Sequence, residues 1–184
     1  MKKIRLLPIF LIVVLLSAML APQALALEQP EVSSKAAILV DTDSGRVLYE
    51  KNADEKAYPA SLTKVMTVLV AVEAVEKGEF SLTDSVTASP TCLEGMVDDG
   101  CTAGIVPGET MPLKDLLYCA MLASANEACN IIGEYISGSV SAFVDRMNSR
   151  AAELGCTGTH FANTHGLPDE NHYTTARAIS LIYR

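Results

Sequence analysis

Positive charge is scarce in this sequence. Eight lysines and six arginines stand against 22 acidic residues, for a formal net charge of -8. They are scattered, and no basic stretch is interleaved with aromatics, which excludes a nucleic acid surface. Metal-ligand spacing is also lacking: neither C-x-x-C nor H-x-x-x-H occurs, so no metal site is expected. No internal repeat or low-complexity tract interrupts the chain, and no cysteine lies near the apolar leader to carry a lipid.

That leader is the first positive signal. Lys2, Lys3 and Arg5 precede the apolar run Leu6 to Leu20, and Ala24-Leu25-Ala26 supplies a small-residue cleavage site. A signal peptide over residues 1–26, cut after Ala26, is expected. The alternative, an uncleaved anchor, fits less well because the run is broken by Pro22 and Gln23 and falls short of the roughly 20 residues a spanning helix needs. Residues 27–184 suffice for one domain core. An exported setting permits disulfides, though five cysteines leave at least one unpaired. Cys92 and Cys101 bracket a polar, Gly-containing stretch and are the expected pair, whereas Cys119, Cys129 and Cys156 sit in helical patterns as small core residues.

Two β-rich runs, Ala36 to Val40 and Arg46 to Tyr49, flank the turn Asp41-Thr42-Asp43-Ser44-Gly45 and read as a hairpin. Ala60 to Lys77 reads as a helix ended by Gly78, apolar almost all round over residues 65–72 and therefore buried on several sides. Residues 81–109, rich in Gly and Pro, predict turns and short strands. Helices follow over 113–123, 127–136 and 140–154, punctuated by Gly138 and Gly155. A last helix, starting at Thr174, is expected to run on to Arg184.

Chemistry enters with Ser61 and Lys64. At i and i+3 they share a helical face, so a lysine kept neutral by burial can take the serine's proton. Ser61 at a helix start would also face free backbone N–H groups suited to an oxyanion. Alone, Ser-x-x-Lys is a weak pattern, and its bland reading is a helix cap beside a surface lysine. Pro59-Ala60 before it, a buried helix after it, and Ser124-Ala125-Asn126 at a helix junction make it specific. Asn126 reads both as a helix cap and as an amide able to hold a peptide bond. His165 reads as a loop-shaping residue, and His160 and His172 as structural ones.

These motifs, with Gly108-Glu109, Met147-Asn148, Thr159-His160-Phe161, His165-Gly166-Leu167 and His172 to Arg177, make the chain resemble the exported serine D-alanyl-D-alanine carboxypeptidases, low-molecular-mass penicillin-binding proteins. The resemblance runs from about Val32 to Arg184. It implies Ser61 as the acyl-forming nucleophile, Lys64 as its base, Ser124 as a proton relay to the departing D-alanine, and Asn126 as a substrate-binding residue. No cofactor is implied. The implied partners are peptidoglycan stem peptides, with β-lactam antibiotics as covalent inhibitors. The implied fold is α+β, the β-lactamase/transpeptidase-like fold, held incompletely as an N-terminal hairpin plus helical subdomain.

Two departures stand out. Ala178 occupies a position where the family usually has an acid. Lys-Thr-Gly, which in this family lines the cleft and binds the substrate carboxylate, occurs nowhere in the 184 residues. Residues 27–184 are therefore expected to be part of a catalytic domain, inactive alone, with that strand beyond Arg184. A C-terminal membrane-associating region common in the family would also lie there. Competing readings are a penicillin-acylated sensor or structural cell-wall protein without turnover, and a β-lactamase. The last is disfavoured because no Glu-x-x-x-Asn loop follows Ser124-Ala125-Asn126. Exposed apolar surface is expected on the sheet side of the 184 residues taken alone.

Overall fold

A continuous apolar run, Ala37-Ile38-Leu39-Val40, and a tight turn make the first element. The computed structural model describes residues 30–184, so the expected signal peptide lies outside the described residues. Strand β1 (Ala37–Val40) pairs antiparallel with β2 (Val47–Lys51), Ala37 opposite Lys51, with a register shift between Leu39 and Val40. The Asp41 carboxylate accepts the Ser44 N–H at 2.8 Å, and Gly45 takes the positive φ (+71°) the turn needs. A second small sheet joins β3 (Ser85–Thr87) to β4 (Thr110–Pro112).

Five helices complete the unit Ser33–Arg184. They are α1 (Thr63–Glu76), α2 (Leu113–Leu122), α3 (Asn126–Ser137), α4 (Val140–Glu153) and α5 (Ala176–Ile182). Helix α3 is the hub, packed against α1, α2 and α4. Its face Ala128, Cys129, Ile131, Ile132 and Ile136 is buried, together with Met66, Val70 and Ala74 of α1 and Phe143 and Met147 of α4. Gly133 lets α4 approach closely: a Cβ there would stand 3.2 Å from the Phe143 side chain.

Three expectations need correction. Helix α1 begins at Thr63, because Ala60–Leu62 form a separate 3-10 turn. The last helix begins at Ala176, capped by the Thr175 side chain, since Thr174 is engaged in backbone pairing with Ala57; it stops at Ile182. Cys92 and Cys101 do not pair: all five cysteines are free, Cys92 lying fully buried in the core and Cys101 exposed. On the sheet side, Leu39, Val47, Leu48, Tyr58 and Tyr183 are exposed.

Truncating Phe143 to Ala opens a cavity over Gly133 at the crossing of α3 and α4. It is expected to lower unfolding free energy by about 3–5 kcal/mol in urea titrations.

Candidate active site

Ser61 is presented by a backbone conformation that its neighbours enforce. Ala60 takes a left-handed φ of +49°, uncommon for a residue with a Cβ. Gly166 packs against it so tightly that a Cβ at Gly166 would run into the Ala60 carbonyl, and Gly166 itself has φ +95°. The result is an exposed Ser61 hydroxyl at the lip of α1, followed at once by the buried Thr63 and Lys64.

Lys64 lies among the largest fully buried side chains, 2% exposed. Its Nζ donates to the Ser61 hydroxyl at 3.1 Å and to the His165 carbonyl at 2.8 Å. Burial pushes its pKa down, opposed by the nearby Glu127 carboxylate. The carbonyl can only accept, so it claims one N–H. A neutral amine then keeps its lone pair for the Ser61 proton.

The α2–α3 junction supplies the second half. Ser124, at φ +53°, donates its hydroxyl to Ser61 Oγ at 3.1 Å. Asn126 is the first residue of α3, not its cap: the N-cap is Ala125 and no side chain caps the helix. The Asn126 amide is 4% exposed and makes no hydrogen bond with any described residue. It lines, with Ser61, Gly100, Cys101, His165 and Gly166, a cavity of about 470 Å³. Its own N–H is tied to the Cys101 carbonyl at 2.9 Å. The structure thus brings Lys64 and Ser124 within hydrogen-bond reach of Ser61, and Ser61 and Asn126 line one cavity.

Several residues that hold these groups were not apparent from the sequence. The buried Glu127 carboxylate accepts from the Thr102 hydroxyl and the Ala103 N–H, both at 2.7 Å, fixing the loop beside Asn126. Thr67 donates to the Thr164 carbonyl at 2.6 Å, and Thr164 donates to Asn130 at 2.7 Å, anchoring the segment that carries His165. Thr63, Lys64 and Thr67 share one face of α1, a polar i, i+1, i+4 set within an otherwise apolar helix, and that is the signal that could have revealed them.

The histidines are structural partners. His172 Nδ1 accepts the Ala162 N–H, so its Nε2–H donates to the Thr63 hydroxyl at 2.7 Å. His165 Nδ1 accepts the Leu167 N–H. Burial pushes both pKa values down to about 4. Ala178, where an acid was anticipated, is buried as the third residue of α5, and Arg177 pairs with Asp54 and Glu50 instead.

A family model described as D-alanyl-D-alanine carboxypeptidase (peptidase S11) matches residues 23–184. The chain is 38% identical over 168 residues to the D-alanyl-D-alanine carboxypeptidase DacF of Bacillus subtilis, an alignment covering 88% of this chain and 42% of that protein. Penicillin-binding protein 5 from Haemophilus influenzae superposes with a TM-score of 0.82 at 32% identity, covering 85% of this chain and 46% of that one. Penicillin-binding protein D2 from Listeria monocytogenes, solved in an ampicillin-bound form, superposes with a TM-score of 0.72 at 28% identity, covering 84% and 62%. The fold is that of the penicillin-binding proteins, α+β as the resemblance implied, and the chain spans about two fifths of the length of the curated relatives it matches.

Two outcomes follow from the geometry. In the unfolded chain a histidine titrates near 6.5, so native His165 and His172 bind fewer protons between that pH and about 4. Their contribution is fully present above pH 6.5 and is lost as pH falls towards 4, by on the order of 3 kcal/mol each. Thermal melts at pH 7 and pH 5 should show this, with a shallower dependence in His172→Gln. Gly166→Ala is expected to destabilise by about 2 kcal/mol or more, since it combines a backbone clash with a positive φ.

Proposed function

The chain belongs to the D-alanyl-D-alanine carboxypeptidase family, and on that premise we propose that it serves as a serine carboxypeptidase, removing the terminal D-alanine of peptidoglycan pentapeptides. The observation that carries this reading is the chain of short contacts from Lys64 through Ser61 to Ser124, beside the unpartnered amide of Asn126.

In the proposed reaction Lys64 takes the Ser61 proton as Oγ attacks the carbonyl of the D-Ala-D-Ala bond. Collapse of the tetrahedral species breaks the C–N bond, and Ser124 hands a proton to the departing amine. Water then attacks the ester on Ser61, its proton returning through the same groups, and releases the shortened peptide. Asn126 holds the substrate's peptide group with one donor and one acceptor. β-Lactams would acylate Ser61 in the same way, consistent with the ampicillin-bound Listeria relative.

Residues 1–26 are proposed as a cleaved signal peptide and 27–184 as part of the catalytic domain, acting outside the cytoplasmic membrane. No helix of the described residues is long and apolar enough to cross a membrane.

Incubation of the full-length protein with a fluorescent penicillin should label Ser61, and Ser61→Ala should abolish the label; label on another residue would sink the reading. Release of D-alanine from a muramyl pentapeptide distinguishes a carboxypeptidase from an acylated sensor without turnover. The rate of labelling should rise with pH along a limb whose pKa lies below the ordinary lysine value of about 10.4, because protonated Lys64 cannot act as the base.

A further inference from the structure

The wall of the Ser61 cavity carries one reactive group that the proposed reaction does not use. Cys101 is exposed and reduced, and lines the cavity shared by Ser61 and Asn126. Its place is fixed from both sides: its carbonyl accepts the Asn126 N–H at 2.9 Å, and Thr102 and Ala103 are held by the Glu127 carboxylate.

A second observation points to a ligand at this wall. The Asn126 side chain, 4% exposed, faces the same cavity without a hydrogen bond from any described residue. Its nitrogen lies 2.9 Å from where a Cβ of Gly100, the residue before Cys101, would stand. A nearly buried amide left without a partner is rare unless something polar comes to meet it. Cys101 and the Asn126 amide line the same cavity, so a group attached to Cys101 would share it.

The remaining thiols do not compete. Cys92, Cys129 and Cys156 are buried and Cys119 half-buried. Burial pushes the pKa of each upward, that of Cys129 to about 12, and exchange requires the thiolate.

We propose that Cys101 is a modification site for low-molecular-mass disulfides, and that the mixed disulfide formed there closes the Ser61 cavity. The Cys101 thiolate attacks one sulfur of the small disulfide. A new S–S bond forms as the old one breaks, and the second sulfur leaves as a thiolate that takes up the proton Cys101 released. The small disulfide is the oxidant, and excess thiol reverses the step. The effect on acylation rests on the carboxypeptidase reading.

The test treats full-length protein with bis(2-hydroxyethyl) disulfide, locates the adduct by peptide mass mapping, and measures Ser61 labelling by fluorescent penicillin before treatment, after it, and after dithiothreitol. The expected result is an adduct on Cys101 ahead of the other cysteines, with labelling slowed about tenfold or more. Labelling should recover in dithiothreitol, and treatment should leave the Cys101→Ser rate unchanged. An adduct elsewhere first overturns Cys101 as the modification site, and undiminished labelling once Cys101 is fully modified overturns the cavity-closing role; both leave the carboxypeptidase reading intact. Absence of Ser61 label before any treatment overturns the carboxypeptidase reading and this role with it.

Discussion

The structure depends on keeping the ε-amine of Lys64 out of water. A buried ammonium without a close anion is strongly disfavoured, so such a group pairs or gives up its proton. The neighbours of Lys64 are chosen against pairing: a hydroxyl and a backbone carbonyl lie within hydrogen-bond reach, and no described carboxylate forms an ion pair with it. Glu127 acts on Lys64 only across space, its carboxylate already committed to Thr102 and Ala103. Lys64 is thereby held in the setting that its proposed role as a base requires, and the apolar run behind it in α1 is the means of burial.

Such a site needs two loops, distant in sequence, to meet at one helix start. The segment 160–172 supplies the His165 carbonyl, and the segment 97–105 supplies the opposite wall. Both are tied down by buried polar side chains on helices. Glu127 of α3 accepts from Thr102 and Ala103 of the second loop, while Asn130, one turn on, accepts from Thr164 of the first, so one helix registers both loops. Asn148 of α4 grips Phe161 through N–H and carbonyl, each at 2.8 Å. Satisfied polar groups of this kind specify one arrangement of loops more than they add net stability, because their hydrogen bonds to water are given up in exchange.

What the sequence disclosed and withheld follows the same division. Periodicity located α1 to α4 within a few residues, and the hairpin around Asp41 to Gly45, because burial patterns and turn chemistry are local. The quartet Ser61, Lys64, Ser124 and Asn126 could be singled out because chemistry restricts those residue types. The polar ties could not: nothing local says that Glu127 will meet Thr102 or that Thr63 will meet His172. The expected Cys92–Cys101 pairing failed for a related reason, since loop length alone does not reveal that one thiol faces the core and the other a cavity. Asn126 reads both as a cap and as a peptide-holding amide, and the cap reading fails because Ala125 takes the cap position.

The two hydroxyls of the site sit at or beside left-handed backbone, Ser61 following Ala60 and Ser124 itself. Neither position is glycine, so each carries strain of roughly 1 kcal/mol or more that regular helix would avoid. Continuing α1 backwards through Ala60, or α3 through Ser124, would give relaxed helix N-termini but would move both hydroxyls. The tight turn at Ala60 leaves Ser61 exposed while Lys64 dives into the core, and the turn at Ser124 returns its hydroxyl to within 3.1 Å of Ser61. Gly166 against Ala60, and the Ala125 N–H bonded to the Cys119 carbonyl, hold these turns in place. Packing elsewhere in the helical unit therefore sustains the strain that joins an exposed hydroxyl to a buried amine.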